Sequence, residues 1–153
     1  MSEKTGNQAS MMILPNSYQA DFVEMVANAV SPARFLLSAP PGSGKTIALV
    51  ASACALHSKR SDMRCLMIAP KALAGLWVDQ LTANAGISAV EINPQTYRRL
   101  QAESGSDINL WGNIFCAMVS PEFLSIADRI EEVLEAGWDL VILDEAHRFS
   151  QFT

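Results

Sequence analysis

Residues 39–46 read Ala-Pro-Pro-Gly-Ser-Gly-Lys-Thr, and no other stretch restricts the fold as much. The apolar run Phe35-Leu36-Leu37 precedes them, and an alanine-rich run over residues 47–56 follows. Strand, glycine-rich turn and helix, in that order, let a backbone turn its own N–H groups inward around a polyphosphate. So close an approach needs glycine, which Gly42 and Gly44 supply. Pro40 and Pro41 fix φ ahead of the turn. The helix that follows aims its positive N-terminal end at the same anion. Lys45 can reach β- and γ-phosphates as a mobile point charge, and the Thr46 hydroxyl can ligate Mg²⁺. Pro41, Gly42, Ser43, Gly44, Lys45 and Thr46 are therefore the expected nucleotide-binding residues. Ala39 stands where the pattern usually has its first glycine, a tolerated variant.

Half of the 153 residues are apolar and only 18% are charged, which suits a buried sheet covered by helices. The net charge of −5 excludes a surface that attracts nucleic acid everywhere, so any DNA contact needs a local patch. Cys54, Cys65 and Cys116 lie in apolar runs with no CxxC or Cys/His cluster. Buried thiols are expected there rather than a metal site or a disulfide, which favours a reducing, cytoplasmic compartment. The N-terminus lacks a basic-then-apolar signal pattern, and no segment approaches the ~18 apolar residues needed to span a bilayer, so no membrane partner is expected.

Residues 1–12 are polar without a period and are expected as a disordered arm before one domain over residues 13–153. Asn16 and Ser17 offer an N-cap, and Phe22, Val23, Val26, Ala27 and Val30 follow at helical spacing until Ser31-Pro32. Strands are expected at 35–38, 65–68, 87–92, 114–119 and 139–143. Helices are expected at 44–57, 71–84, 95–102 and 121–137. The helix over 71–84 places Leu73, Leu76, Trp77 and Leu81 on one face, with Trp77 as a core anchor. The one over 95–102 exposes Arg98 and Arg99, and the one over 121–137 opens with Ser120 as N-cap and closes at Gly137. Short buried strands alternating with amphipathic helices indicate an α/β fold with a mainly parallel sheet.

The last strand runs into Asp144-Glu145-Ala146-His147. Functional residues of open parallel sheets gather at the carboxyl ends of strands. Two adjacent acids beside a bound nucleotide have separate uses. Asp144 can hold Mg²⁺ directly or through water, and Glu145 can polarise an attacking water as general base. His147 lies close enough to couple this site to its neighbours.

Together the two motifs resemble the superfamily 2 helicases and translocases. The wording around them, Trp138 to Arg148 with its DEAH box followed by arginine, looks like the SWI/SNF-type DNA translocases. Leu66-Met67-Ile68-Ala69-Pro70, followed by Leu73 and Trp77, is similar to that family's motif Ia, and Val119 to Leu124 to its motif Ib. Tyr18-Gln19 after Leu14-Pro15 looks like the upstream glutamine motif. The resemblance implies a RecA-like P-loop NTPase fold, a three-layer sandwich that binds ATP and Mg²⁺. It implies adenine recognition by Gln19, and hydrolysis of ATP to track along duplex DNA. It also implies contact with the DNA backbone near Lys71 and Ser120, for which a lysine and a helix start are suitable phosphate partners.

The pattern departs from that family after the DEAH box, since Thr153 ends the sequence before a motif III. The strand leading to motif III lies, in that fold, between the phosphate-loop strand and the DEAH strand. An incomplete sheet is therefore expected, with a longer polypeptide or a partner supplying the strand and the second RecA-like lobe. Alternatives are another superfamily 2 helicase or restriction-type motor, or a truncated, non-catalytic nucleotide-binding regulator. A small-molecule kinase would have no use for the DEAH and motif Ia sequences.

Overall fold

Four apolar runs become the strands β1 (Cys65–Ile68), β2 (Val90–Ile92), β3 (Cys116–Val119) and β4 (Leu140–Leu143). The computed structural model describes residues 16–105, 109–126 and 128–147. The arm expected over residues 1–12, Leu14-Pro15 ahead of the glutamine motif, residues 106–108, Ala127 and Arg148 after the DEAH sequence lie outside the described residues. All strand pairs are parallel, in the order β2-β3-β1-β4, with Cys65 level with Cys116 on one side and Leu140 on the other. The helices are α1 (Ser17–Ala27), α2 (Lys45–Lys59), α3 (Ala74–Ala85), α4 (Pro94–Ser104), α5 (Pro121–Leu124) and α6 (Arg129–Glu135).

Side chains of a strand alternate between its two faces, and each face here is covered. Cys65, Met67, Cys116 and Met118 pack with Val50 and Ala53 of α2 and with Trp77 and Leu81 of α3. Leu66, Ile68, Ala117 and Val119 pack with Tyr97, Trp111, Phe123 and Val133 on the other side. The result is the expected three-layer α/β sandwich with a parallel sheet. α1 lies outside α2, joined through Phe22, Val26 and the fully buried Ala48. All three cysteines are free thiols; Cys65 and Cys116 are buried and Cys54 is partly so. The contact with Cys116, together with burial, pushes the Cys65 thiol well above its ordinary pKa.

The N-caps follow the sequence. Asn16 and Gln19 form a reciprocal capping box, the Asn93 side chain accepts from the N–H groups of Gln95 and Thr96, and Ser120 accepts from Phe123 N. Arg98 and Arg99 are exposed on α4.

Several expectations are corrected. Residues 35–38 carry no ladder pairing and so are not a strand; Leu36 is 86% exposed. A strand needs a neighbour for its N–H and C=O groups, and the described sheet ends at β4 without reaching this segment. β4 is thus an edge strand of the described sheet, and on the face shared with Leu66 and Ile68 its Val141 and Leu143 are each about half exposed. α1 stops at Ala27, leaving Val30 in solvent. Leu76 faces outward rather than joining Trp77, and Lys71–Leu73 form a 3₁₀ turn ahead of α3. The helix expected over 121–137 is two pieces. Ser125 turns both its N–H and its hydroxyl to Pro121 O, and Asp128 takes a positive φ of 67°. A serine bonded back to a carbonyl in this way competes with helix continuation. Ile130 and Leu134 are exposed, while Phe123 and Val133 are buried.

At the amino ends of the strands, Arg64 fastens the layers. Its guanidinium donates to the carbonyls of Trp111, Ile114, Ala136 and Gly137 and lies 4.6 Å from the Trp138 ring centroid. Asp139, at the start of β4, accepts from Arg64 N at 2.9 Å and from Arg60 Nη2 at 2.9 Å.

Candidate functional site

At the opposite end of the sheet, the loop over residues 39–46 rises into α2. Gly42 and Gly44 have φ of +76° and +84°, values that L side chains rarely adopt. A Cβ on Gly44 would also overlap the Gln19 amide nitrogen, so glycine is required there twice over. α1 braces the loop from behind. Tyr18 OH donates to Ser43 O, and Gln19 Nε2 donates to Ser43 O at 3.3 Å and Gly44 O at 3.0 Å. Gln19 Oε1 accepts from Asn16 N at 2.7 Å. Gln19 is 96% buried, and these bonds tie its carboxamide into the chain with one acceptor lone pair of Oε1 left over. Lys45 Nζ folds back to Ala39 O at 2.8 Å and Pro40 O at 3.0 Å, which uses two of its three donors.

β4 delivers Asp144 to the same place. Its N–H donates to Ile68 O, which continues the ladder, and the residue is 95% buried. Thr46 Oγ1 donates to Asp144 Oδ2 at 3.3 Å, joining residues 98 positions apart. Oδ2 also accepts from Trp77 Nε1 at 3.1 Å, and Oδ1 accepts from Glu145 N at 2.9 Å. Among the described residues the partners of this buried carboxylate are all neutral donors. Glu145 itself has a φ of +55°, an uncommon conformation for a side chain without a local amide, and such strain gathers at functional sites. Its Oε2 lies 3.3 Å from His147 Nδ1.

These residues fit a magnesium-bound triphosphate. Ser43 Oγ is a buried hydroxyl with no hydrogen-bond partner among the described residues, and it sits in the loop where a phosphate oxygen would accept from it. The described residues contain no cluster of three or more His, Cys, Asp or Glu side chains that could cage a metal. Mg²⁺ suits that arrangement, because it is ordinarily held by one or two protein oxygens plus phosphates and water.

The two expected nucleic-acid contacts, Lys71 and Ser120, line one small cavity at the carboxyl ends of β1 and β3, together with Glu91 and Asn93. Lys71 is exposed, whereas the Ser120 hydroxyl is occupied as a helix cap. Sequence reasoning treated Trp77 as a core anchor only and so missed its bond to Asp144. The available signal was chemical: a buried indole N–H has to find an acceptor.

A parallel three-layer sandwich with a glycine-rich phosphate loop, whose threonine meets an acid at a strand end, defines a RecA-like P-loop NTPase. Residues 12–152 match the family described as Type III restriction enzyme, res subunit, and the chain belongs to that family. It is 28% identical over 136 residues to the RNA polymerase-associated protein RapA of Pseudomonas savastanoi pv. phaseolicola (strain 1448A / Race 6). It is 29% identical over 136 residues to RapA of Pseudomonas aeruginosa (strain LESB58), and 28% over 116 residues to that of Erwinia tasmaniensis. These alignments cover 87%, 87% and 74% of this chain, and 14%, 14% and 12% of the relatives' own lengths. The resemblance to a superfamily 2 helicase-like first lobe therefore holds at the family level. No helix among the described residues is long and apolar enough to cross a membrane.

Proposed function

We propose that the chain is the ATP-binding half of an ATP-dependent, SWI/SNF-like DNA translocase that moves along duplex DNA. The observation that carries this reading is the meeting of Thr46 and Asp144 at 3.3 Å beside the phosphate loop. The loop's N–H groups and the Ser43 hydroxyl would bind phosphate oxygens. Lys45 would exchange its bonds to Ala39 O and Pro40 O for the β- and γ-phosphates. Thr46 and Asp144 would hold Mg²⁺, which when bound offsets the charge on the phosphates. Glu145 would take the proton of the attacking water, with His147 fixing its carboxylate. Gln19 would read the adenine through the remaining lone pair of Oε1.

The open side of β4 and the unpaired segment 35–38 support a further strand between them, supplied by a longer polypeptide or a partner. A second RecA-like lobe would contribute the stabilising arginine, worth roughly 10³–10⁵ in rate in related phosphoryl transfer. Alone, the chain is expected to hydrolyse ATP poorly. Lys71 and the loop at Ser120 would touch the DNA backbone, and the free thiols support a reducing, cytoplasmic or nucleoid-associated setting.

The match to restriction-enzyme subunits favours a second reading, a restriction-type or strand-separating motor. Measuring ATP hydrolysis by the full-length protein with duplex and with single-stranded DNA tests both. Stronger stimulation by duplex, without strand separation, is expected. Preference for single strands would replace the first reading with the second, and full turnover by Lys45→Ala would overturn both.

A further inference from the structure

Asp144 is held from three directions. Thr46 comes from α2, the Glu145 N–H from the turn after β4, and the Trp77 indole from α3. The first is a rotatable hydroxyl, and the second belongs to a residue in a strained backbone conformation. Trp77 is different. Its ring is fully buried, packed in the same cluster as Met67, Ala74, Leu81 and Ile142, so its N–H cannot swing away. It donates to Oδ2, the same oxygen that receives the Thr46 hydroxyl. A carboxylate with one oxygen pinned by a rigid donor cannot rotate about its terminal torsion, and its orientation toward a cation is set before the cation arrives.

We propose that Trp77 is a positioning residue for the metal-holding carboxylate: its indole N–H fixes Asp144 Oδ2 and thereby sets how tightly magnesium is held with the nucleotide. This rests on the nucleotide-binding reading above. Outer hydrogen-bond partners of metal ligands typically change metal affinity by about 10–100-fold. The indole also lies on the helix that follows directly from Lys71, within the core, so its effect requires no contact with phosphate or solvent.

Trp77→Phe keeps an aromatic ring in the core and deletes only the donor and the extra ring. In the full-length protein, a Mg²⁺ titration of fluorescent-nucleotide binding is expected to need about 10-fold more Mg²⁺ for half-saturation. Nucleotide binding in excess chelator should be unchanged, a split that mere loss of packing would not produce. Separately, the Trp77 indole N–H resonance of ¹⁵N-tryptophan-labelled protein should shift in Asp144→Asn and again when Mg²⁺ and nucleotide are added to the wild type. An unchanged Mg²⁺ midpoint in Trp77→Phe, beside normal wild-type binding, overturns the inference alone. So does an indole resonance indifferent to Asp144→Asn, a measurement that keeps the tryptophan and decides the matter if Trp77→Phe fails to fold. Wild-type protein that binds no nucleotide with Mg²⁺ overturns the parent reading and this inference together.

Discussion

β4 carries an aspartate just outside each end, and the two are held in opposite ways. Asp139, at the amino end, is partly exposed and paired with Arg60 at 2.9 Å, and its other oxygen takes the Arg64 N–H. The Arg64 N–H first and the arginine charges after it hold its carboxyl below the usual carboxylate range. Asp144, at the carboxyl end, is 95% buried and meets only neutral donors among the described residues. A buried carboxylate is costly unless a cation or several hydrogen bonds compensate it. At one end of the strand the compensation is complete within the chain, and the aspartate serves the fold. At the other the compensation comes from hydrogen bonds to neutral donors alone among the described residues.

The largest effects should come from the carboxyl end. Glu145→Gln is expected to lower kcat for ATP hydrolysis by about 10²–10⁴-fold, as loss of a general base does, while Asp139→Asn leaves it unchanged. Equal turnover in both variants would erase the distinction. Asp144→Asn should abolish the Mg²⁺ dependence of nucleotide binding, seen by calorimetry, and also lower the thermal midpoint, because the amide nitrogen that replaces one oxygen meets an N–H donor, Glu145 N at Oδ1 or Trp77 Nε1 at Oδ2.

The amino end should respond in stability instead. Arg64→Met leaves carbonyls of Trp111, Ile114, Ala136 and Gly137 short of donors and is expected to cost about 2–4 kcal/mol in urea unfolding. Nucleotide affinity of the folded fraction should be unchanged; a parallel loss of affinity would mean that the two ends are not independent. The smallest effect concerns pH. Because the folded pKa of Asp139 is depressed, its contribution is present above the unfolded value of about 4 and fades as pH falls through the folded value. Being a third exposed, it should contribute at most about 1 kcal/mol. Asp139→Asn should flatten the acid limb of the stability curve by that amount, and an unaltered limb would remove the pair from the account.

Much of this was legible in the chain. The glycine-rich turn over residues 39–46 announces itself because its needs are local: glycines for positive φ, a lysine and a threonine at fixed offsets. The caps at Asn16, Asn93 and Ser120 are local too, each a side chain bonded within three residues. Segment 35–38 misled for the complementary reason. Its apolar run has the composition of a buried strand, but pairing depends on a neighbour that the described sheet does not provide. The helix over 121–137 misled because apolar spacing survives a break, while the Ser125 turn that breaks it competes only weakly in the pattern.

The sequence by itself determined the class of fold and marked the glycine-rich turn and the acid pair, since these follow from residue types and short spacings. Only the tertiary structure decided which aspartate beside β4 is paired with arginine and which is buried among neutral donors, and that an indole 67 residues away holds the second. The physical reason is that burial and hydrogen-bond partnership are set by packing between distant segments. No local pattern distinguishes an aspartate that will meet a guanidinium from one that will meet a tryptophan.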